Sequence, residues 1–407
     1  MRDFLPAEKA HRDRVLDVIV DTYRAHGFSE IETPVVEDSA RLNAGLGGDN
    51  EKLAFGVLKR GLGKDDFAAA ESALDLSDMG LRFDLTVPLA RFYATHRAEL
   101  PTVFRAIQAA PVWRAERPQK GRYRQFVQCD IDVIGEAGLI AEVELIAATI
   151  DALKKLRLDG CQVRINDRRL LTSMLRAFGY EAAEHGSVLI TLDKLDKIGE
   201  AGVVTELAGK GFETAKLTEF LRRPMTREYL PFGEAEIRKH LPNGGDPEAI
   251  ADLVAIGEAL GDAAASLRFD PFLVRGMGYY TGTIFEVAHP SVDYSLGGGG
   301  RYDGMIGRFL GTDVPAVGFS LGFERIVELV ELPAENATAT ALVYDKVPVA
   351  QLIAIKNELV AMGVNVRLEK KPKNPKPLFE QLVADGFSQY AYVTAEGLGS
   401  FTPLARD

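Results

Sequence analysis

Apolar residues recur at helical spacing between Ala7 and His26, at Val15, Val18, Ile19 and Tyr23, and Gly27 is placed to end the helix they predict. Phe28–Val36 leans toward strand but is broken by Pro34, which suits an edge or interface strand; dimer contacts are one use for it. Residues 45–78, rich in Gly, Asp and Lys, predict a long loop or hairpin. Alternation then predicts strands at Ala110–Trp113 and Arg124–Ile134, an antiparallel pair around an arginine-rich turn. Leu139, Val143, Ile146, Ile150 and Leu153 follow at steps of four, three, four and three, a strong helical stripe. From about residue 168 to 269 helix formers dominate, so a helical insertion is expected there. Strands are expected again at Phe272–Arg275 and Gly282–Val287, before the run Gly297–Gly300 and a helix over Phe323–Val330. The pattern predicts an α+β fold with a domain over 1–330, split by the insertion, and a linker over 331–340. A small α/β domain of alternating strands and helices follows over 341–407.

Composition narrows the class. The 407 residues, 46% hydrophobic and 26% charged, suit a soluble protein of two or three domains. A net charge of -11 confines any nucleic-acid contact to local basic patches. Cys129 and Cys161 are too few for a disulfide framework, which fits a reducing cytoplasm. The six histidines show neither HxxxH nor HExxH spacing, so no transition-metal site is expected, whereas magnesium carried in with a nucleotide is compatible. The charged N-terminus has no apolar signal core, and no apolar run is long enough to span a bilayer.

The most informative stretch runs from Arg114 to Asp132. Arg114, Arg117, Lys120, Arg122 and Arg124 surround Gly121, and arginine forks suit phosphate oxygens, while Phe126 offers a flat face to a base. Asp130 and Asp132, two apart on a predicted strand, project to one face and could meet an ammonium or imidazole group. Taken alone, the stretch is equally readable as a solvated turn with edge-strand charges.

Three separated segments decide between these readings. Gly27–Glu37, Ala110–Asp132 and Ala316–Arg325 resemble, in order, the three motifs of class II aminoacyl-tRNA synthetases. Leu273–Gly282 and Gly299–Asp303 resemble stretches particular to the histidyl-tRNA synthetase family within that class. The resemblance covers residues 1 to about 330 well and the tail in part. It implies an antiparallel sheet flanked by helices, a homodimer, and a two-step reaction. Histidine and ATP give histidyl-adenylate and pyrophosphate, and the histidyl group then passes to the 3′ end of tRNA(His). No tightly bound cofactor is implied beyond the substrate ATP and its Mg2+.

The resemblance also implies residue roles. Arg114 and Arg275 would act at the α-phosphate, Arg122 would hold the γ-phosphate, and Arg325 would lie over the adenine and polyphosphate. Glu116 and Phe126 would bind the adenine. Asp84, Thr86 and Gln128 would take the α-amino group, and Asp132, Tyr279 and Tyr280 the imidazole, with Arg114 and Arg275 completing the histidine site. Arg117, Gln119, Lys120 and Arg124 would approach the tRNA acceptor stem, with salt-dependent phosphate contacts.

The chain departs from the family pattern at Gly278, where many members carry an acid, and in the tail. There Ser400–Asp407 stands where the family's anticodon-binding domain continues with further elements, so an incomplete domain is expected. Two alternatives follow. One is the synthetase-like, histidine-sensing regulatory subunit of ATP phosphoribosyltransferase, which has no need of Arg114, Arg122, Arg275 and Arg325 together. The other is a histidine-adenylating paralogue that does not act on tRNA.

Overall fold

The computed structural model describes residues 1–43, 53–117, 123–222, 232–275, 280–332 and 339–404. Gln119, Lys120, Arg122, Gly278 and Tyr279 lie outside them. The chain divides into two compact units, one of Val15–Val330 and one grouping Arg2–Arg14 with Glu331–Asp407.

The first unit is organised on an eight-stranded sheet. Its strands are β1 (Ser29–Glu30), β2 (Phe104–Trp113), β3 (Gln125–Ile134), β4 (Gln162–Asp167), β5 (Leu267–Phe269), β6 (Thr283–Ala288), β7 (Gly297–Arg301) and β8 (Ala316–Gly322). They lie in the order β1-β2-β3-β8-β7-β6-β4-β5. Pairing is antiparallel except at the two ends, where β1 joins β2 and β5 joins β4 in parallel. The edge strand expected near Phe28 is thus β1, cut to two residues ahead of Pro34, which cannot donate to a ladder. A separate antiparallel sheet of three strands, Val36–Asp38, Ser77–Leu81 and Phe55–Leu58, occupies part of the stretch read as loop or hairpin.

Helix Ile140–Lys155 buries Ile146, Ile150 and Leu153 of the stripe visible in the sequence, together with Leu145, leaves Val143 half-buried, and packs on β3 and β8. An ion pair pins it to the sheet: both oxygens of the fully buried Glu142 take 2.7 Å bonds from Arg301 at the end of β7. Removing one partner would strand the other charge in the core, at a cost of about 3–5 kcal/mol. Between β4 and β5 the described residues form six α-helices, Arg168–Phe178, His185–Leu192, Leu195–Gly209, Ala215–Leu221, Glu234–Lys239 and Pro247–Leu260. The first is capped by Asp167, whose carboxylate accepts from the Arg169 N–H at 2.8 Å, and ends at Gly179 with φ +97°. Its apolar face, Leu171, Met174, Leu175 and Phe178, shares a core with Val188, Leu192, Val203, Leu207 and Phe220.

The strand expected at Phe272–Arg275 does not form. Asp270 accepts from the Phe272 N–H at 2.9 Å, turning the chain, and the buried Asn166 amide holds the carbonyls of Pro271 and Leu273 at 3.2 and 3.3 Å. A side chain replaces the ladder, and the nearest strand is β5, upstream of the turn. The β2 strand also begins at Phe104, earlier than its alternation indicated, because Ala106 and Ile107 are both buried and blur the period.

The second unit alternates β9 (Ala339–Tyr344), helix Val349–Ala361, β10 (Asn365–Lys370), helix Lys376–Ala384 and β11 (Gln389–Thr394). β9 lies between β10 and β11, parallel to both. Two short strands, Gly397–Leu398 and Thr402–Pro403, pair antiparallel with β11. Leu342, Leu352, Leu359, Ala391 and Val393 form its core.

Candidate active site

Register decides what the middle of the large sheet presents. Residues two apart on a strand share a face, so Gln128, Asp130 and Asp132 of β3 point the same way. Directly opposite them on β8 stand Gly322, Ser320 and Gly318, and beyond these on β7 stand Gly298, opposite Ser320, and Gly300, opposite Gly318. A floor of glycine and serine is therefore bordered by a strand of amide and acids. The glycines are required by close approach: a Cβ at Gly318 would lie 2.0 Å from Asp132 Oδ1, one at Gly298 2.5 Å from Arg275 Cζ, and one at Gly300 3.1 Å from Tyr280 Cδ1. Within the run Gly297–Gly300, Gly298 leaves room for the Arg275 guanidinium, whereas a Cβ at Gly297, Gly299 or Gly300 would first meet the backbone of a neighbouring strand.

Above this floor is a cavity of about 390 Å³. Asp84, Thr86, Arg114, Glu116, Phe126, Gln128, Asp132, Arg275, Tyr280 and Arg325, ten of the residues singled out in the sequence, all line it. Arg117 and Arg124 are exposed and do not line it. Gln119, Lys120, Arg122 and Tyr279 fall outside the described residues.

The cations are held by backbone and by one another's neighbours. Arg114 donates Nε to the Phe83 carbonyl at 3.0 Å and lies 4.9 Å from the Phe126 ring centroid, so cation and aromatic face form one plate. Arg325 donates to the Ser295 carbonyl at 2.5 Å and sits near Tyr294, with its Cδ 3.6 Å from where a Gly322 Cβ would be. Arg275 pairs with Glu286. Gln128 donates to Ser320 Oγ at 2.9 Å and more weakly to Asp130 at 3.4 Å. Glu324, at the start of the helix after β8, accepts from the Val127 N–H at 2.8 Å and so ties β3 to that helix beside the cavity.

Three aspartates share the cavity wall. Burial pushes Asp84 up to about 6 against the relief given by the Val87 N–H and Arg114. Burial likewise pushes Asp132 up to about 7, partly offset by a 2.5 Å hydrogen bond from Tyr302 Oη. Asp130 is raised further, by burial and then by the neighbouring Asp132. Carboxyls crowded together out of water favour their neutral forms until a cation arrives. Such a wall is built to receive positive charge.

Tyr302 and Ser320 had no role in the sequence reading, and Asp130 was noticed without one being fixed. The signals for them were the Gly-Arg-Tyr-Asp run and the period-two face of β3, but which residues meet across strands is set by pairing at long range.

A family model described as "Histidyl-tRNA synthetase" matches residues 1–326. The chain belongs to the histidyl-tRNA synthetase family. Among members of this family, the histidine–tRNA ligase of Leifsonia xyli subsp. xyli is 57% identical over 97% of this chain and 94% of its own length. A probable histidine–tRNA ligase of Tropheryma whipplei is 42% identical over the same shares. The crystal structure of histidyl-tRNA synthetase from Nostoc sp. PCC 7120 superposes with a TM-score of 0.76 at 26% identity, over 97% of this chain and 90% of that one. A Bacillus halodurans structure titled as an ATP phosphoribosyltransferase regulatory subunit/histidyl-tRNA synthetase has a TM-score of 0.77 at 22% identity, over 97% of each chain. That second likeness concerns the fold alone.

Proposed function

We propose that this chain is a histidine–tRNA ligase, which joins L-histidine to ATP as histidyl-adenylate and passes the histidyl group to tRNA(His). The observation that carries the reading is the order of groups along the cavity floor. Arg325 and Gln128 stand at the Gly322 row, Arg275, Ser320 and Asp130 at the Gly298 row, and Asp132, Tyr302 and Tyr280 at the Gly318–Gly300 row. From Gln128 to Asp132 the strand rise gives roughly 13 Å, enough for an amino acid laid beside a triphosphate.

In this reading a histidine carboxylate oxygen attacks the α-phosphorus while the bond to the pyrophosphate oxygen breaks. Arg114 and Arg275 stabilise the charge that gathers on the α-phosphate oxygens, and Arg325 and the plate of Arg114 and Phe126 hold the nucleotide, with Glu116 on the adenine. Asp84, Thr86 and Gln128 receive the ammonium group, and Asp132, its proton position governed by Tyr302, receives the imidazole together with Tyr280 and Tyr279. A ribose hydroxyl of the tRNA then attacks the acyl carbon and releases AMP, with no covalent enzyme intermediate. Magnesium, brought by ATP, would neutralise the outgoing phosphates; Glu116 and Glu324 are the acids nearest the nucleotide end that could reach its shell.

The exposed Arg117 and Arg124 suit the acceptor stem, together with Gln119 and Lys120, and Arg122 suits the γ-phosphate. The small α/β unit, with Lys371 5.1 Å from the Tyr392 ring, suits an anticodon contact. Exposed Val35, Val36, Val57 and Leu58, on or next to the three-stranded sheet, suit a homodimer interface. The thiols of Cys129 and Cys161 suit the cytoplasm. Charging of a tRNA(His) transcript with labelled histidine tests the whole reading. Adenylate formation without charging would leave a small-molecule enzyme, and absence of both would leave a histidine sensor.

A further inference from the structure

One cross-strand row continues past the cavity. Gly298 of β7, Glu286 of β6 and Arg164 of β4 stand directly opposite one another. Glu286 gives one oxygen to each of two arginines: Oε2 pairs with Arg275 and Oε1 lies 3.0 Å from Arg164 Nη1. Arg164 is held on its other side by Asp270, 2.6 Å from its Nε, and reaches Asp196 of the helical insertion at 3.5 Å. The Arg164, Glu286 and Asp270 side chains are 14%, 17% and 12% exposed, so their charges are poorly screened. The cleared space over Gly298 is where the Arg275 guanidinium lies.

We propose that Glu286 is a positioning residue for Arg275 and that Arg164 sets how firmly it holds. Glu286 fixes the guanidinium over Gly298, and Arg164 draws off part of the carboxylate's charge, so that Glu286 holds Arg275 without competing fully with a phosphate. Loss of the Glu286 charge removes the carboxylate that bridges the two guanidinium groups and leaves Asp193 as a remaining acid coupled to Arg275. Loss of Arg164 leaves the full carboxylate charge on Arg275, in competition with the phosphate. The proposal rests on Arg275 acting at the α-phosphate, and the test separates the two.

The test is single-turnover formation of histidyl-adenylate by wild type, Glu286→Gln, Arg275→Ala and the double variant, with KM for histidine and melting temperature measured alongside. Glu286→Gln is expected to slow adenylate formation by about 10- to 100-fold, as a misplaced cation does. KM for histidine should stay near the wild-type value, because the groups assigned to the ammonium and imidazole, Asp84, Thr86, Gln128, Asp132 and Tyr280, are untouched by the change. In the Arg275→Ala background the same change should cost less than about 2-fold, since the residue it positions is gone. Arg164→Met should raise KM for ATP. Equal factors in both backgrounds, or Glu286→Gln at the wild-type rate while Arg275→Ala is crippled, would overturn the relay and leave the role of Arg275 standing. An Arg275→Ala enzyme of near wild-type rate would overturn the role of Arg275 and the relay with it.

Discussion

Replacing Asp132 by Asn should stabilise the ligand-free protein while abolishing its response to histidine. The carboxyl of Asp132 moves from an ordinary 3.8 to about 7, burial being the first cause. The folded protein therefore holds this proton more tightly than the unfolded chain does. Its contribution to stability is greatest in acid, declines as pH rises from about 4 through about 7, and is level above that. Between pH 5 and pH 8 the decline is about 2–3 kcal/mol. Asn keeps an oxygen to accept the Tyr302 hydroxyl but cannot ionise, so the variant escapes the decline. By differential scanning fluorimetry its advantage over wild type should grow by roughly 5 °C between pH 5 and pH 8. Saturating histidine should raise the wild-type melting temperature and leave that of the variant unmoved. An advantage of the same size at both pH values would refute the reasoning, because it would come from packing rather than from an ionised carboxylate. A full histidine shift in the variant would refute the assignment of Asp132 to the imidazole.

Gly318→Ala sets a methyl 2.0 Å from Asp132 Oδ1 and 3.1 Å from the Tyr302 ring, so it should break their hydrogen bond and raise KM for histidine by about 10- to 100-fold with KM for ATP little changed; equal rises in both would argue against it. Joint replacement of Arg117 and Arg124 by Ala should leave adenylate formation intact, raise KM for tRNA, and flatten its dependence on salt, measured as log KM against log salt. If the proposed homodimer uses this surface, Leu58→Glu, at a residue 60% exposed on the three-stranded sheet, should shift sedimentation velocity from dimer to monomer; an unchanged profile would argue against a dimer interface there.

What could be read from the sequence was local in origin. The Leu139–Leu153 stripe and the period-two face of β3 depend on residues a few positions apart, and both stand in the structure, whereas the arginine-bearing turn after Trp113 lies partly outside the described residues. A histidine sensor has no use for Arg114, Arg275 and Arg325 together on one cavity. What could not be read depends on strand pairing across more than a hundred residues. Tyr302 meets Asp132 across a gap of 170 positions, and Glu286 meets Arg164 across 122. No periodicity announces such meetings. Phe272–Arg275 misled for a related reason, since its apolar residues are buried by a turn that Asp270 and Asn166 hold, and side-chain hydrogen bonds leave no alternation to detect.

The central claim, that this cavity makes histidyl-adenylate, is tested most directly by ATP–pyrophosphate exchange with purified protein across the twenty amino acids. Exchange that depends on histidine, and falls by orders of magnitude in Arg114→Ala, is the predicted result. Histidine binding demonstrated by thermal shift with no exchange at any ATP concentration would contradict it.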